Sequence, residues 1–243
     1  MEQKLFRNPT VVVGIILGVS LLLAAGVGAW VVLKVRDAND VISVTGSAKV
    51  DVTADQAKWT TQVTRTVRES ALKTGYAQIA SDTEKVQAFF VAQGITTDEF
   101  TINPVSMMEV YQQNVSAEKL YTLTQSYTVQ SADVAKIKTA SSHIADVINQ
   151  GVIFSTNALN YNYIKLPDVR VSLLGDAIAD AKARANELAQ SSGKKVGTLK
   201  SASSGVVQVQ SRNSTDVSDY GSYDTSQIEK QVTVTVKAVF GLK

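Results

Sequence analysis

The longest apolar stretch of the chain lies near its N-terminus. Residues 11–33 contain no charged side chain, and their polar groups are Ser20 and the indole of Trp30. A helix rises about 1.5 Å per residue, so this stretch reaches about 35 Å, enough to cross a hydrocarbon core of about 30 Å. It is apolar on every face, unlike a helix on the surface of a soluble core. We therefore predict a transmembrane helix that contacts lipid through residues 11–33, within an anchor of residues 1–37.

A cleaved signal peptide is the alternative interpretation of this stretch. Lys4 and Arg7 would form its basic region, and the small residues at 24–29 could hold a cleavage site. The apolar core of a signal peptide is about 7–15 residues long, whereas this one continues to Leu33. The length favours an anchor that is not cleaved.

Basic residues on the two sides of the stretch are nearly balanced. Lys4 and Arg7 precede it, and Lys34 and Arg36 follow it. A long C-terminal domain is translocated largely regardless of such charges. We expect a single-pass protein of the inner (cytoplasmic) membrane, with a short cytoplasmic N-terminus and a periplasmic or extracellular C-terminal domain.

Alternation of apolar and polar residues predicts strands after the anchor. Residues 41–52 and 57–67 alternate, and the link between them at 53–56 suggests that they form a hairpin. Alternation is clearest near the end of the chain, where Val232, Val234 and Val236 face away from the residues between them. The other predicted strands cover residues 100–111, 120–129, 152–164, 196–210 and 228–242, with Pro104 at an edge or bulge.

Apolar residues at spacings of three and four predict three helices. They cover residues 70–94, 133–149 and 169–192, with Ser70 and Asp133 as caps of the first two. These elements predict an α+β fold for residues 38–243, with three helices and a mixed, largely antiparallel sheet. The expected inward positions are Leu72, Tyr76, Ile79, Thr83, Val86 and Phe90; Val134, Ile137, Ile144 and Ile148; and Val171, Leu174, Ile178, Ala181, Ala185 and Leu188.

Composition excludes several kinds of chemistry. The chain has no cysteine and one histidine, so disulfides, thiolate metal sites, a cysteine nucleophile and histidine pairs are excluded. Residues 38–243 carry equal numbers of basic and acidic side chains, and we expect no nucleic-acid partner. We predict that the protein is not an enzyme, and we assign no catalytic, cofactor-binding or metal-binding residue.

Single polar residues each have an ordinary structural interpretation. His143 is expected on the surface of the second helix, and Asp55 is expected to bond nearby N–H groups in a turn. Residues 211–227 are rich in Ser, Asp, Thr and Tyr and predict an exposed, mobile loop. Its acidic residues do not have the spacing of an EF-hand calcium site, and its tyrosines are either solvated or contact a partner. These residues are Asp216, Asp219, Asp224, Tyr220 and Tyr223.

Three short segments resemble the SIMPL domain family of bacterial envelope proteins. The first resembles the family's opening strand, the second its alanine-rich helix with the glycines that follow, and the third its closing strand. Ala54 stands where the family usually has proline. The resembling residues are Ile42–Ala48, Val52, Asp55 and Ala57; Ala177, Ala181, Ala183, Ala185, Leu188, Ala189, Gly193 and Gly197; and Val232–Val236 with Phe240.

The resemblance implies an α+β domain in the cell envelope that tends to self-associate. Some members are linked to stress tolerance or to the bacterial surface, and the family has no established catalytic residues. We therefore expect a membrane-anchored, non-catalytic envelope protein that forms a homo-oligomer or binds envelope proteins, with a link to stress tolerance. The alternative is a small-molecule binder, or an enzyme with a dispersed site in the extracytoplasmic domain.

Two segments offer routes to self-association. Residues 231–240 are strongly β-forming, with Lys237 as their one charge, so an edge position would favour pairing with a second copy. The alternative is a central strand in a monomeric domain. Gly14 and Gly18 have the spacing that lets two membrane helices approach closely.

Overall fold

A computed structural model describes residues 9–38, 40–111, 118–212, 214 and 218–243. Its α+β class confirms the prediction. The helices are α1 (Pro9–Ala38), α2 (Leu72–Ala92), α3 (Val134–Ser142), α4 (Ala145–Ile148) and α5 (Leu166–Ser191). The strands are β1 (Val41–Thr53), β2 (Gln56–Arg68), β3 (Phe100–Ile102), β4 (Ser106–Val110), β5 (Leu120–Ser131), β6 (Phe154–Asn162), β7 (Val196–Ser211), β8 (Ser222–Tyr223) and β9 (Glu229–Leu242).

Helix α1 contains the predicted apolar segment. Its stretch Val12–Val31 is long and apolar enough to cross a membrane, and none of it is buried within the protein. The helix continues to Ala38, so two residues separate it from β1. A membrane anchor and a signal sequence both have these properties.

The strands form two sheets where the sequence predicted one. The first has the order β1-β9-β7-β8, and the second has the order β3-β5-β2-β6 with β4 also paired to β5. β7 and β8 are parallel, whereas β2 is antiparallel to both β5 and β6. The mixed, largely antiparallel character is therefore as predicted.

The predicted hairpin of β1 and β2 is wrong, because these strands lie in different sheets. The link between them does not turn back on itself. The N–H of Ala54 donates to the carbonyl of Ile228 at 2.9 Å, and the N–H of Asp55 donates to that of Asn162 at 3.0 Å. These bonds attach the link to the residue before β9 and to the end of β6.

Of the two positions left open for residues 231–240, the structure shows the central one. Strand β9 lies between β1 and β7, so its backbone has a neighbour on each side. Low charge and high β-propensity suit a central strand as well as an unprotected edge, and the pattern alone did not separate the two.

Pro104 lies where the predicted strand 100–111 is interrupted. β3 and β4 stand on either side of it, and both pair with β5, as in Phe100 with Val129 and Met107 with Leu123. Proline has no N–H to donate, so it is tolerated between the two short ladders.

The chain divides into two compact units, each with its own core. The first comprises the described residues within 1–48, 174–205 and 235–243, and the second those within 49–173 and 206–234. In the first unit, the buried residues of the core are Val44, Ala181, Ala185, Ala238 and Phe240.

Small residues form the buried face of α5. Ala181 and Ala185 are inward as predicted, but Val171 and Leu188 are 71% and 54% exposed. A four-residue spacing replaces the predicted mixture of three and four, because small side chains allow the helix to come close to its neighbour. The buried positions are Leu173, Ala177, Ala181, Ala185 and Ala189.

Aromatic rings fill the core of the second unit. Trp59 of β2 packs edge-on against Phe90 of α2 at 5.8 Å between ring centroids, and against Phe154 of β6 at 6.1 Å. The inward positions predicted for Tyr76 and Ile148 are wrong, since both are exposed.

The predicted second helix is divided into α3 and α4 at His143 and Ile144. The hydroxyl of Ser142 donates to the carbonyl of Thr139, and the Nδ1 atom of His143 lies 2.8 Å from the same carbonyl. Such local bonds compete with the helical ladder. As predicted, Asp133 caps α3, accepting from the N–H of Lys136 at 2.9 Å.

Candidate functional site

A buried lysine lies at the centre of a polar cluster in the second unit. Lys230 of β9 is 0% exposed. Its Nζ atom donates to the carbonyl of Asp224 and lies 6.0 Å from the ring centroid of Tyr223. Burial lowers the pKa of Lys230, and the negative charge of Asp224 offsets part of this effect. The amine is covered, so it holds its neighbours in place and is not presented to a substrate.

The hydroxyl of Tyr223 joins this cluster to the residues after β6. It accepts the N–H of Tyr163 at 2.8 Å and lies 3.3 Å from the carbonyl of the same residue. Burial raises the pKa of Tyr163, and the negative charges of Asp55 and Asp168 raise it further. Tyr163 is therefore a neutral hydroxyl at physiological pH.

Asp55 bonds to a residue that is more distant in sequence than predicted. Its Oδ1 atom accepts the N–H of Ile164 at 2.7 Å, so its partner is distant in sequence and not in its own turn. Its Oδ2 atom is buried and has no hydrogen-bond partner among the described residues. The side chain fixes the start of β2 to the end of β6.

Residues 221–228, which we call the strap, contain β8 and lead into β9. Gly221 has φ +85°, and a Cβ there would lie 2.9 Å from the carbonyl oxygen of Val207. The strap is fastened at its middle, where the N–H of Tyr161 donates to the carbonyl of Thr225 at 2.8 Å.

The prediction of a mobile loop over residues 211–227 is therefore wrong for the strap, which contains β8 and is tied to β6. Residues 213 and 215–217, which include Asp216, lie outside the described residues.

A shallow pocket of about 250 Å³ opens beside the strap. Hydroxyl, amide and carboxylate groups line it, which suits hydrogen bonding to a small polar molecule. Burial alone would raise the pKa of Asp224, but hydrogen bonds from Ser226 and the charge of Lys230 hold it below its usual value. The lining residues are Gln210, Ser211, Ser214, Ser222, Tyr223 and Asp224.

The other candidate residues lie apart from this cluster. His143 is exposed, as predicted, and bonds within its own helix. Tyr220 is 97% exposed. Among the residues that the structure describes, no group of three His, Asp or Glu side chains is placed to hold a metal ion.

A family described as "SIMPL: Protein of unknown function (DUF541)" matches residues 42–240. The chain belongs to the SIMPL family. No curated protein matches it. The match covers nearly all of the chain after α1 and confirms the resemblance.

The glycine of the SIMPL opening strand has a steric reason. A Cβ at Gly46 would lie 2.2 Å from the carbonyl oxygen of Ala177 and 2.4 Å from the nitrogen of Ala181. The next residue, Ser47, donates its N–H to the carboxylate of Asp180 at 2.8 Å. The SIMPL glycine and alanines thus form one contact between β1 and α5.

Lys230 is the main residue that sequence reasoning missed in the SIMPL domain. The buried positions of β9 alternate from Phe240 back through Val232, and one more step of two reaches Lys230. The signal was present in the period-two pattern, but a lysine at its end is usually taken as solvated.

We predict that Tyr223→Phe lowers the free energy of unfolding by about 0.5–1.5 kcal/mol, because the N–H of Tyr163 loses its acceptor. Urea denaturation would measure it, with faster hydrogen exchange of the Tyr163 amide as a second readout. Tyr220→Phe is the matched control, since Tyr220 is 97% exposed. Equal stability of the two variants would show that the strap is not held through this hydroxyl.

Proposed function

We propose that this chain is a single-pass membrane protein whose N-terminal helix holds a SIMPL domain on the outer face of the cytoplasmic membrane. One observation carries the proposal: the apolar stretch Val12–Val31 is wholly unburied. Exposing so much apolar surface to water is unfavourable, and lipid removes the cost. The stretch also exceeds the apolar core of a signal peptide, which supports retention of the helix.

The domain acts by binding rather than by catalysis under this proposal. Its buried amine, Lys230, is fully covered, and His143 bonds to a carbonyl of its own helix. General acid–base chemistry requires a titratable group within reach of a substrate. The pocket beside the strap supports the second candidate, binding of a small polar molecule, because hydroxyl groups converge there.

Self-association is the binding mode that we favour. A Cβ at Gly14 or Gly18 would meet nothing within 4 Å, so this face of α1 is open to a second helix. β1 is an edge of its sheet and pairs with β9 on one side. The family resemblance supports the same mode and suggests stress tolerance as the physiological setting.

Cysteine labelling tests the topology, because the chain has no cysteine of its own. Tyr220→Cys places a thiol at a 97% exposed position, and Gln3→Cys places one before the anchor. In intact spheroplasts we expect a membrane-impermeant maleimide to label Tyr220→Cys fully, and to label Gln3→Cys only after lysis.

Two results would contradict the proposal. The reverse labelling pattern would place the domain in the cytoplasm. A protein extracted by alkaline carbonate, with an intact mass that lacks the residues up to about Ala29, would show a cleaved signal peptide.

A further inference from the structure

The end of α1 lies beside two other segments of the first unit, the end of β9 and the turn before β7. Two residues after Ala38, the carbonyl of Asp40 accepts the N–H of Leu242 at 2.8 Å. The carboxylate of Asp40 forms an ion pair with Lys194, in the turn before β7. Each residue adds at most about 3.6 Å of extended chain, so this junction lies within about 7 Å of the helix end.

Lysines gather at this junction. Lys195 and Lys243 form a reciprocal backbone pair, with both N–H to carbonyl distances at 2.8 Å. Residues 188–205 and 235–243 contain five lysines and no acidic residue. Lys194 is paired with Asp40, whereas Lys195, Lys200 and Lys243 are exposed and have no ion pair within the described part of the chain.

Two glycines let lysine side chains lie across the strands at this end. A Cβ at Gly197 would lie 3.4 Å from Cε of Lys243, and a Cβ at Gly241 would lie 3.1 Å from Cε of Lys200. The stem of Lys200 thus points back toward the end of β9. The side chains of Lys200 and Lys243 therefore both lie at this end of the sheet.

An open pocket of about 520 Å³ lies at the same end. Side-chain amides and ammonium groups line it, and both are donors that suit a phosphate group. Its lining contains no carboxylate. The lining residues are Asn186, Gln190, Gly193, Lys194, Lys195 and Val196.

The length of α1 beyond its apolar stretch determines how far this basic end lies from the hydrocarbon core of the membrane. The uncharged residues stop at Leu33, and the helix continues five residues to Ala38, which is about 7–8 Å. Each headgroup layer is about 5–8 Å thick, and the Debye length in physiological salt is about 8 Å. The lysines therefore lie where an anionic membrane surface still attracts them.

We propose that this basic end, formed by Lys194, Lys195, Lys200 and Lys243, binds the phosphate headgroups of anionic lipids in the leaflet from which α1 emerges. The proposal rests on the membrane anchor proposed above. Lipid headgroups and free phosphate present the same phosphate group. We assign the lipid because the basic end lies beside the anchor. Bound headgroups would fix the domain against the membrane.

Fluorescence quenching of Trp30 by brominated lipid tests both proposals separately. The full chain is reconstituted with brominated phosphatidylglycerol or brominated phosphatidylcholine in mixed bilayers. Trp30 lies in the apolar stretch, and Trp59 is 0% exposed, so Trp30→Phe gives the unquenched baseline. The ratio of quenching by the two lipids measures the preference for the anionic headgroup.

We expect Lys195→Gln/Lys200→Gln/Lys243→Gln to reduce this preference by about threefold to tenfold, since each lysine near an anionic surface favours binding. The matched control, Lys58→Gln/Lys73→Gln/Lys138→Gln, removes three exposed lysines of the second unit and should leave the preference unchanged. Raised salt should lower the preference of the wild type.

The outcomes separate the two proposals. Absence of Trp30 quenching in either lipid would overturn the anchor. Quenching without anionic preference, or a preference equally reduced in both triple variants, would keep the anchor and overturn the headgroup site. A preference abolished by inorganic phosphate at constant ionic strength would show a free-phosphate site and overturn the lipid assignment.

Discussion

Gly46→Ala is expected to lower the free energy of unfolding by about 3 kcal/mol or more. The added Cβ would lie 2.2 Å and 2.4 Å from backbone atoms of Ala177 and Ala181. Overpacking a close contact usually costs about 1–3 kcal/mol, and backbone atoms of a helix cannot rotate away as a flexible side chain would. We therefore expect α5 to separate from β1 or the whole unit to lose stability.

Gly175→Ala is the matched control, because it makes the same substitution on α5 where a Cβ meets nothing within 4 Å. Alanine favours a helix over glycine by about 1 kcal/mol, so this variant should be slightly more stable than the wild type. Thermal unfolding of the full chain in detergent compares the two. A Gly46→Ala midpoint at or above that of Gly175→Ala would contradict the close contact.

Asp82→Ala is expected to lower the free energy of unfolding by about 3 kcal/mol. Asp82 is 2% exposed on α2, and its carboxylate accepts two bonds from Arg65, at 2.6 Å and 2.9 Å. Removing one partner of a buried ion pair costs about 3–5 kcal/mol, and Arg65 keeps a bond to the carbonyl of Gly151 at 2.7 Å. The value lies at the lower end because the side chain of Arg65 is 24% exposed.

Two variants make this prediction specific. Glu109→Ala breaks the ion pair with Lys119, in which both side chains are about half exposed, and should change the stability little. Arg65→Met/Asp82→Leu replaces both charges and should recover most of the stability lost in Asp82→Ala. Urea denaturation measures all three. Equal loss in the single and double variants would show that packing, and not the charge, determines the effect.

The alternation of apolar and polar residues predicted the strands well, because the pattern within a strand records which of its side chains are buried. The alternation at Val232, Val234 and Val236 correctly marked a strand with one buried face. It did not report that β9 has a neighbour on each side, since backbone pairing leaves no trace in the side-chain pattern. The failed hairpin of β1 and β2 has the same cause.

Helix faces were predicted less well because the pattern favours large apolar residues. The prediction turned Val171 and Leu188 inward, whereas close packing against Gly46 requires alanine on the buried face of α5. The resemblance already contained both the glycine and the alanines. Their contact was not predictable, because it joins segments more than 130 residues apart.

The candidate sites were hidden by distance along the chain. Tyr163, Tyr223 and Lys230 come from three elements, and the basic end joins the turn after α5 to the end of β9. Equal numbers of charges in residues 38–243 suggested no charged patch. A net charge says nothing about how the fold distributes the charges that compose it.

The two-residue connection between α1 and β1 limits where the domain can work. A flexible linker would let a domain sweep a volume that grows with linker length, and so capture partners far from the bilayer. With α1 held in the membrane as proposed, a connection this short would keep the domain at the bilayer surface. Under that proposal, partners would have to diffuse within the same membrane or arrive at its surface, and encounter rates would depend on the density of the protein per area of membrane.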